Sequence, residues 1–315
     1  MSSPRRTRRD VVDVARAVAL IAMFIYHLIW DLADYGFIPP GTPFTPPMRW
    51  ASNAIAAAFL ALVGVSLVLA YSGGPPDRSF AKRIVVIAAA AALVSAVTAI
   101  VDPEAPIWFG ILHCIALASL LAAPLLRLPA IAACAFGLLA LAAPRLVSSA
   151  ALDAPFVQWI GLGLQPPATL DWRPLLPWAG IVWLALGLTR LSPSRFLNLK
   201  LMVWRAQGSA PSALAWLGRH SLAVYLAHQP LLFGLLFLAS TGLGLGAGPQ
   251  RDAFLAACRP ACVESGGQAD TCQRSCACAA EKEIQATIVA GLLAKFWPDR
   301  TRGDLAVQSC VRDAP

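Results

Sequence analysis

The sequence predicts an all-α polytopic membrane protein with about seven transmembrane helices and a small disulfide-stapled helical hairpin at its C-terminal end. Three observations predict it. Of 315 residues, 58% are hydrophobic and only 13% charged, whereas soluble domains carry about a quarter charged residues; the mean hydropathy is +0.64. Apolar runs of about 20 residues, the length that crosses a bilayer as a helix, recur along the chain. Six of the eight cysteines crowd into a polar tail.

The seven apolar runs lie at 12–32, 50–71, 83–101, 108–127, 130–148, 174–191 and 213–239. Gly, Pro and charged residues punctuate them, as in SGGPPDR (72–78) and VDPEAP (101–106). No period of 20 to 50 residues repeats, which removes a solenoid. The opening MSSPRRTRRD has the charge of a signal peptide. The run behind it is too long, contains Asp13 and Arg16, and lacks a small-residue cleavage site, so it reads as an uncleaved first helix. The 149–173 connection is long, and its APFVQWIGLGL stretch reads as an interfacial segment with Trp159 at the headgroups.

Orientation follows from Lys and Arg. With the N-terminus in the cytoplasm, the tail, Arg16 just inside the first run, and the inner loops at 78–83, 127 and 190–219 hold fourteen basic residues, against Arg49, Arg145 and Arg173 outside. The formal net charge of +8 thus follows membrane topology and is scattered over short loops, which excludes a nucleic-acid surface. An odd number of crossings places the C-terminus outside.

The chain divides near residue 245, into a membrane body (1–245) and a Cys-rich tail (246–315), with STGLGLGAGPQ (240–250) read as the linker. In the tail, Cys258, Cys262, Cys272 and Cys276 follow a C-x3-C, nine-residue, C-x3-C spacing, joined by Cys278 and Cys310. Each C-x3-C pair shares a helix face. An even number of cysteines in a small polar segment reads as disulfides in an oxidising compartment, and the absence of a C-x2-C knuckle argues against zinc. Antiparallel geometry favours nested pairs, Cys258 with Cys276 and Cys262 with Cys272, leaving Cys278 for Cys310.

Ionisable residues inside membrane helices are costly and mark functional candidates. All four histidines, His27, His113, His220 and His228, fall within the apolar runs. At a rise of about 1.5 Å per residue, His27, His113 and His228 each lie roughly 22 Å above the inner boundary of a core about 30 Å thick. His220, beside Arg219, reads as interfacial. Asp31 is one turn beyond His27 on the same face, where a carboxylate can set the imidazole tautomer and raise its basicity. Asp13 and Arg16, three apart, can pair, and Arg16 shares the His27 face. On the last run Ser221, Tyr225 and His228 or Gln229 form a polar stripe, which can glue helices together or line a path for a polar group. From these residues alone two chemistries stand open: transfer of a group by a base or nucleophile of fixed tautomer, or a seven-helix transport protein whose histidines bind metal or haem or relay protons.

Four ordered blocks over about 220 residues resemble a known family, the bacterial relatives of the heparan-α-glucosaminide N-acetyltransferase catalytic domain. They are VVDVARAVALIAMFIYHLIWDL (11–32), IWFGILHCIAL (107–117), DWRPLLPWAGIVWLALGL (171–188) and LGRHSLAVYLAHQPLL (217–232). The matching positions are Asp13, Arg16, His27, Asp31, Phe109, Gly110, His113, Asp171, Arg219, Ser221, Tyr225, His228 and Gln229. Ala17 stands where the family has Gly, and the Cys-rich tail is no part of the family domain.

The resemblance implies a multi-pass enzyme of the bacterial inner membrane. It would move an acetyl or acyl group from a cytoplasmic CoA thioester to an extracytoplasmic acceptor, a sugar amine or hydroxyl. On this reading His27, Asp31, His113 and His228 are catalytic. Asp13, Arg16, Asp171, Arg219, Ser221, Tyr225 and Gln229 bind the substrates, with Arg16 and Arg219 attracting the CoA phosphates. Acyl-CoA is the expected donor, no metal is expected, and the expected partners are the lipid bilayer and a glycan or other small acceptor, with no nucleic acid.

Overall fold

The computed structural model describes residues 9–39, 41–71, 77–191, 200–242, 247–264 and 266–280. These residues are helices and connections, with no strand among them. The helices are α1 (Asp10–Asp34), α2 (Pro46–Tyr71), α3 (Arg78–Val101), α4 (Ile111–Leu125), α5 (Ala130–Leu146), α6 (Leu175–Leu191), a single turn α7 (Lys200–Val203), α8 (Ser209–Arg219), α9 (Ser221–Gly242) and α10 (Ala247–Glu264). A further helix, α11, covers 269–280.

The chain spans a membrane. Among the described residues α1, α2, α3 and α9 are long and apolar enough to cross one, while α4, α5 and α6 are apolar but have only 15, 17 and 17 residues. At about 1.5 Å per residue these three reach roughly 22 to 26 Å, short of a core of about 30 Å. Seven apolar helices are therefore present, of which four meet the length of a full crossing.

One expected element is two. The run expected at 213–239 breaks at His220, which leaves the helical region (φ −101°, ψ 23°) and turns its backbone N–H back to Leu217 and Trp216. The amphipathic α8 ends there and α9 begins at Ser221. Averaging over a membrane-length window bridged the polar stretch GRHS (218–221) that marks the break. His228 consequently sits seven residues into α9, roughly 10 Å from its start, half the rise expected for a continuous helix. A smaller correction concerns the stretch read as linker, since α10 already begins at Ala247.

Two compact units divide the chain. The larger is drawn from residues 1–24 and 50–228. Its core joins α2, α4 and α6 through Leu60, Leu67, Cys114, Ala118, Val182 and Leu186, each fully buried. Small residues bring α5 and α6 together: a Cβ on Gly137 would meet the Leu184 nitrogen at 2.6 Å, and one on Gly180 the Gly137 carbonyl at 2.7 Å. Such contacts let helices pack where lipid tails remove the hydrophobic drive between them. Helix ends are satisfied locally. Asp77 caps α3 by accepting from the N–H groups of Ser79 and Phe80 at 3.0 and 3.2 Å. Arg190 at the end of α6 donates to the carbonyls of Leu125 and Leu128, both at 2.8 Å, where α4 terminates.

The 149–173 connection forms two short 3-10 turns, Ala150–Asp153 and Gln158–Ile160. They are tied by the Asp153 carboxylate, which accepts from the N–H groups of Leu164 and Gln165 at 2.7 and 3.0 Å.

The second unit draws on residues 25–49 and 229–315. In it Trp30 meets Phe44 edge-on at 5.1 Å, and Tyr35 packs on Phe233 at 6.0 Å while its hydroxyl donates to the Phe233 carbonyl. Its C-terminal part is the expected hairpin. α10 ends at a turn where Gly266 takes φ +96°, a conformation that favours glycine. The helix 269–280 then runs back, stapled by Cys258–Cys276 and Cys262–Cys272. The third expected bridge involves Cys310, which lies outside the described residues. Cys114 and Cys134 are free thiols.

Candidate functional site

The polar residues singled out in the sequence fall into three groups. The first is at the start of α1. Asp13, 2% exposed, receives a hydrogen bond from Arg16 at 2.9 Å, the pairing that their spacing of three predicts. The Arg16 guanidinium also donates to the Ser66 hydroxyl of α2, which passes its own proton to the Leu62 carbonyl. α8 closes on this turn backbone to backbone, since a Cβ on Gly218 would run into the Asp13 carbonyl. Arg16 thus stands at the edge of a cavity of about 110 Å³, which it lines with Arg83, Ile115, Ser221 and Tyr225 among others. Two cations, a hydroxyl and a phenol therefore face one otherwise apolar space. Arg219 is exposed at the end of α8 and does not line that cavity. His220 is exposed too, with its Nδ1 on the Trp216 carbonyl at 2.9 Å.

The second group surrounds the N-terminus of α4. Asp171 Oδ2 accepts from the Ile111 N–H at 2.7 Å, placing a carboxylate at the positive end of the helix dipole. Burial raises the Asp171 pKa above the ordinary carboxylate value, while Arg173, the Ile111 N–H and His113 pull it down. Arg173 lies 3.9 Å from Oδ1, donates to the Ser52 hydroxyl, and stacks 4.8 Å over the Trp178 ring.

His113 is in the first turn of α4, and its ring is committed at both ends. The Gly110 N–H donates to Nδ1 at 3.3 Å, so the proton of the neutral ring sits on Nε2. Nε2 is 3.2 Å from the Ser95 hydroxyl, which donates in turn to the Ile107 carbonyl at 2.5 Å. His228 has the opposite tautomer. Its Nδ1 donates to the Tyr225 carbonyl, which leaves the lone pair of the neutral ring on Nε2. The ring is 6% exposed.

The third group lies in the second unit. Asp31, 1% exposed, accepts from the Gln229 amide at 2.8 Å. His27, one turn earlier, is half-buried with the Tyr26 ring edge-on at 5.4 Å. Among the described residues no group of three or more His, Cys, Asp or Glu side chains is arranged to hold a metal ion.

Four contributors lay outside the sequence-derived set. Arg83 counts in the sequence as one more inner-loop cation, and only the packing of α3 turns it toward the cavity. Ser66 and Ser95 carry no signal, because a single Ser in an apolar helix is commonplace. Arg173 had one, its place in the DWRP block beside Asp171.

The family model described as "Heparan-alpha-glucosaminide N-acetyltransferase, catalytic" matches residues 8–230. That span contains every membrane polar residue described above and stops before α10. Neither the curated proteins nor the solved structures compared with the chain gave a match.

Proposed function

This chain belongs to the heparan-α-glucosaminide N-acetyltransferase catalytic family, and from that premise we propose that it is a membrane acyltransferase taking an acetyl or acyl group from a cytoplasmic CoA thioester to an extracytoplasmic sugar amine or hydroxyl. The family implies a transferase acting in a membrane; donor, acceptor and direction are our reading. The observation that carries it is the extent of the match, which begins ahead of Asp13 and ends just past Gln229, so that the polar residues of α1, α4 and α9 belong to the family's own region.

The donor side is assigned to the cavity bordered by Arg16 and Arg83. Its volume of about 110 Å³ compares with the 150 Å³ or so of an engineered cavity that admits benzene. It therefore suits an acyl thioester end and not a nucleotide. The two guanidiniums offer charge-assisted hydrogen bonds to phosphate or to the thioester oxygen. Chemistry is assigned to His27 and Asp31. Asp31 favours the imidazolium that forms when His27 takes the proton of an attacking amine or hydroxyl.

We read α1 to α6 and α9 as seven crossings, with the N-terminus in the cytoplasm. The bias of basic residues supports this, and the disulfides of the tail agree, since such bonds persist in an oxidising compartment. A bacterial inner membrane fits both.

The test is CoA release from acetyl-CoA by the full chain in proteoliposomes, against a panel of amino sugars and glycans. His27→Ala is expected to abolish release, and Asp31→Asn to lower its rate by roughly 10²–10⁴-fold, the range of general base catalysis. Wild-type turnover in His27→Ala, or no release with any acceptor, refutes the proposal.

A further inference from the structure

Gln229 meets Asp31 from 198 positions away in the sequence. The amide presents its NH2 end to Asp31, with Nε2 donating to Oδ1 at 2.8 Å. That contact fixes the orientation of the amide. Oε1 is then the second, separate end of the group. It is buried from solvent and takes no hydrogen bond among the described residues. The indole N–H of Trp30, the residue before Asp31 and in the same unit, is buried in the same condition.

Buried carbonyl oxygens are almost always given a donor, and a polar pair that serves only to join helices is satisfied within the protein. Among the described residues, Gln229 Oε1 and the Trp30 indole N–H are left over. Amines and hydroxyls answer both, because they donate and accept.

We infer that the Gln229 amide binds the acceptor: Nε2 holds Asp31, and Oε1 receives an N–H or O–H from the molecule to which the acyl group goes. This rests on the acyl-transfer reading and narrows it. A carboxylate, ether or carbonyl brought to Oε1 would set two acceptors against each other, so the group recognised there is an amine, ammonium or hydroxyl. Gln229 would then tie the acceptor to the carboxylate that supports the base, so that the nucleophile and Asp31 are placed by one rigid amide.

Equilibrium binding of radiolabelled glucosamine to the full chain in proteoliposomes, without acyl-CoA, tests this, with calorimetric CoA binding measured beside it. Gln229→Leu is expected to weaken glucosamine binding roughly tenfold, the effect of one lost hydrogen bond, and to leave CoA binding unchanged. Gln229→Glu keeps acceptor oxygens on the same frame while giving up the N–H to Asp31, so it should hold glucosamine better than the Leu variant. Binding equal in wild type and Gln229→Leu, or absent from wild type, overturns the inference. Equal weakening in both variants overturns it as well, because Gln229 is then only a support for Asp31. If Gln229→Leu loses CoA binding too, it has misfolded and the comparison of Gln229→Glu with wild type decides. A wild type that binds glucosamine through Gln229 yet releases no CoA retains this site and removes the acyl-transfer reading instead.

Discussion

Gly110→Ala should destabilise the protein through one oxygen atom. Gly110 has φ −95° and ψ −168°, an extended backbone open to any residue, so its requirement for glycine is one of space. A Cβ there would lie 2.5 Å from Asp171 Oδ2 and 2.8 Å from Ile107 Cγ2. The oxygen it strikes is the one that accepts from the Ile111 N–H. Moving the carboxylate strands that buried N–H, at about 1–3 kcal/mol, and withdraws a charge from the helix N-terminus, at about 0.3–1 kcal/mol. A total near 2–3 kcal/mol is expected. Asp171→Ala removes the same hydrogen bond and should cost a similar amount. In the double variant the oxygen is already gone, so the added Cβ meets little beyond Ile107, and the two costs should fall short of their sum by about 1–2 kcal/mol. Unfolding of the four proteins in mixed micelles measures this cycle. Additivity to within about 0.5 kcal/mol, or a Gly110→Ala protein as stable as wild type, refutes the cap.

The tail yields a second prediction. Peptide mapping without reduction should recover Cys258–Cys276 and Cys262–Cys272, and removing either bridge should cost about 3 kcal/mol for loops of this length, with less than twice that for both because the loops are nested. In intact cells, tail cysteines reduced in place should react with an impermeant maleimide, and labelling only after the inner membrane is opened would reverse the proposed topology. His113→Ala should lower stability by about 1–3 kcal/mol, because it strands the Gly110 N–H and removes the bond that the Ser95 hydroxyl accepts, while transfer falls less than in His27→Ala. Equal loss of transfer would place His113 in the chemistry.

The helices were legible wherever one physical signal dominated. Hydropathy over about 20 residues located α1 to α6 to within a few positions, and the C-x3-C spacing favoured the pairs found because helix period and antiparallel direction bring the nested cysteines face to face. What escaped depends on local or distant geometry. The break at His220 falls in the polar stretch GRHS (218–221), which a window of about 20 residues averages into its apolar flanks. Asp31 and Gln229 stand in two family-like blocks, yet their hydrogen bond joins positions 198 apart, and no pattern along the chain states it. Arg83 was counted for its charge, while its place beside the cavity depends on how α3 packs.

The histidines show most clearly what a depth estimate omits. Equal height in a membrane made His113 and His228 look interchangeable. A backbone group decides otherwise for each, because an N–H can only donate and a carbonyl can only accept. The Gly110 N–H claims the lone pair of His113 Nδ1, and the resulting Nε2–H is passed to Ser95. The Tyr225 carbonyl claims the proton of His228 Nδ1, and the lone pair moves to Nε2. A neutral imidazole acts as a base or nucleophile only through its unprotonated nitrogen. In His113 that nitrogen is bound to the backbone at the head of α4, so the ring holds a helix end. In His228 it is the nitrogen remote from the backbone bond, where a proton can be taken up while Nδ1 still holds the ring to Tyr225. Of these two residues, His228 is therefore the one whose hydrogen bonding is compatible with proton transfer.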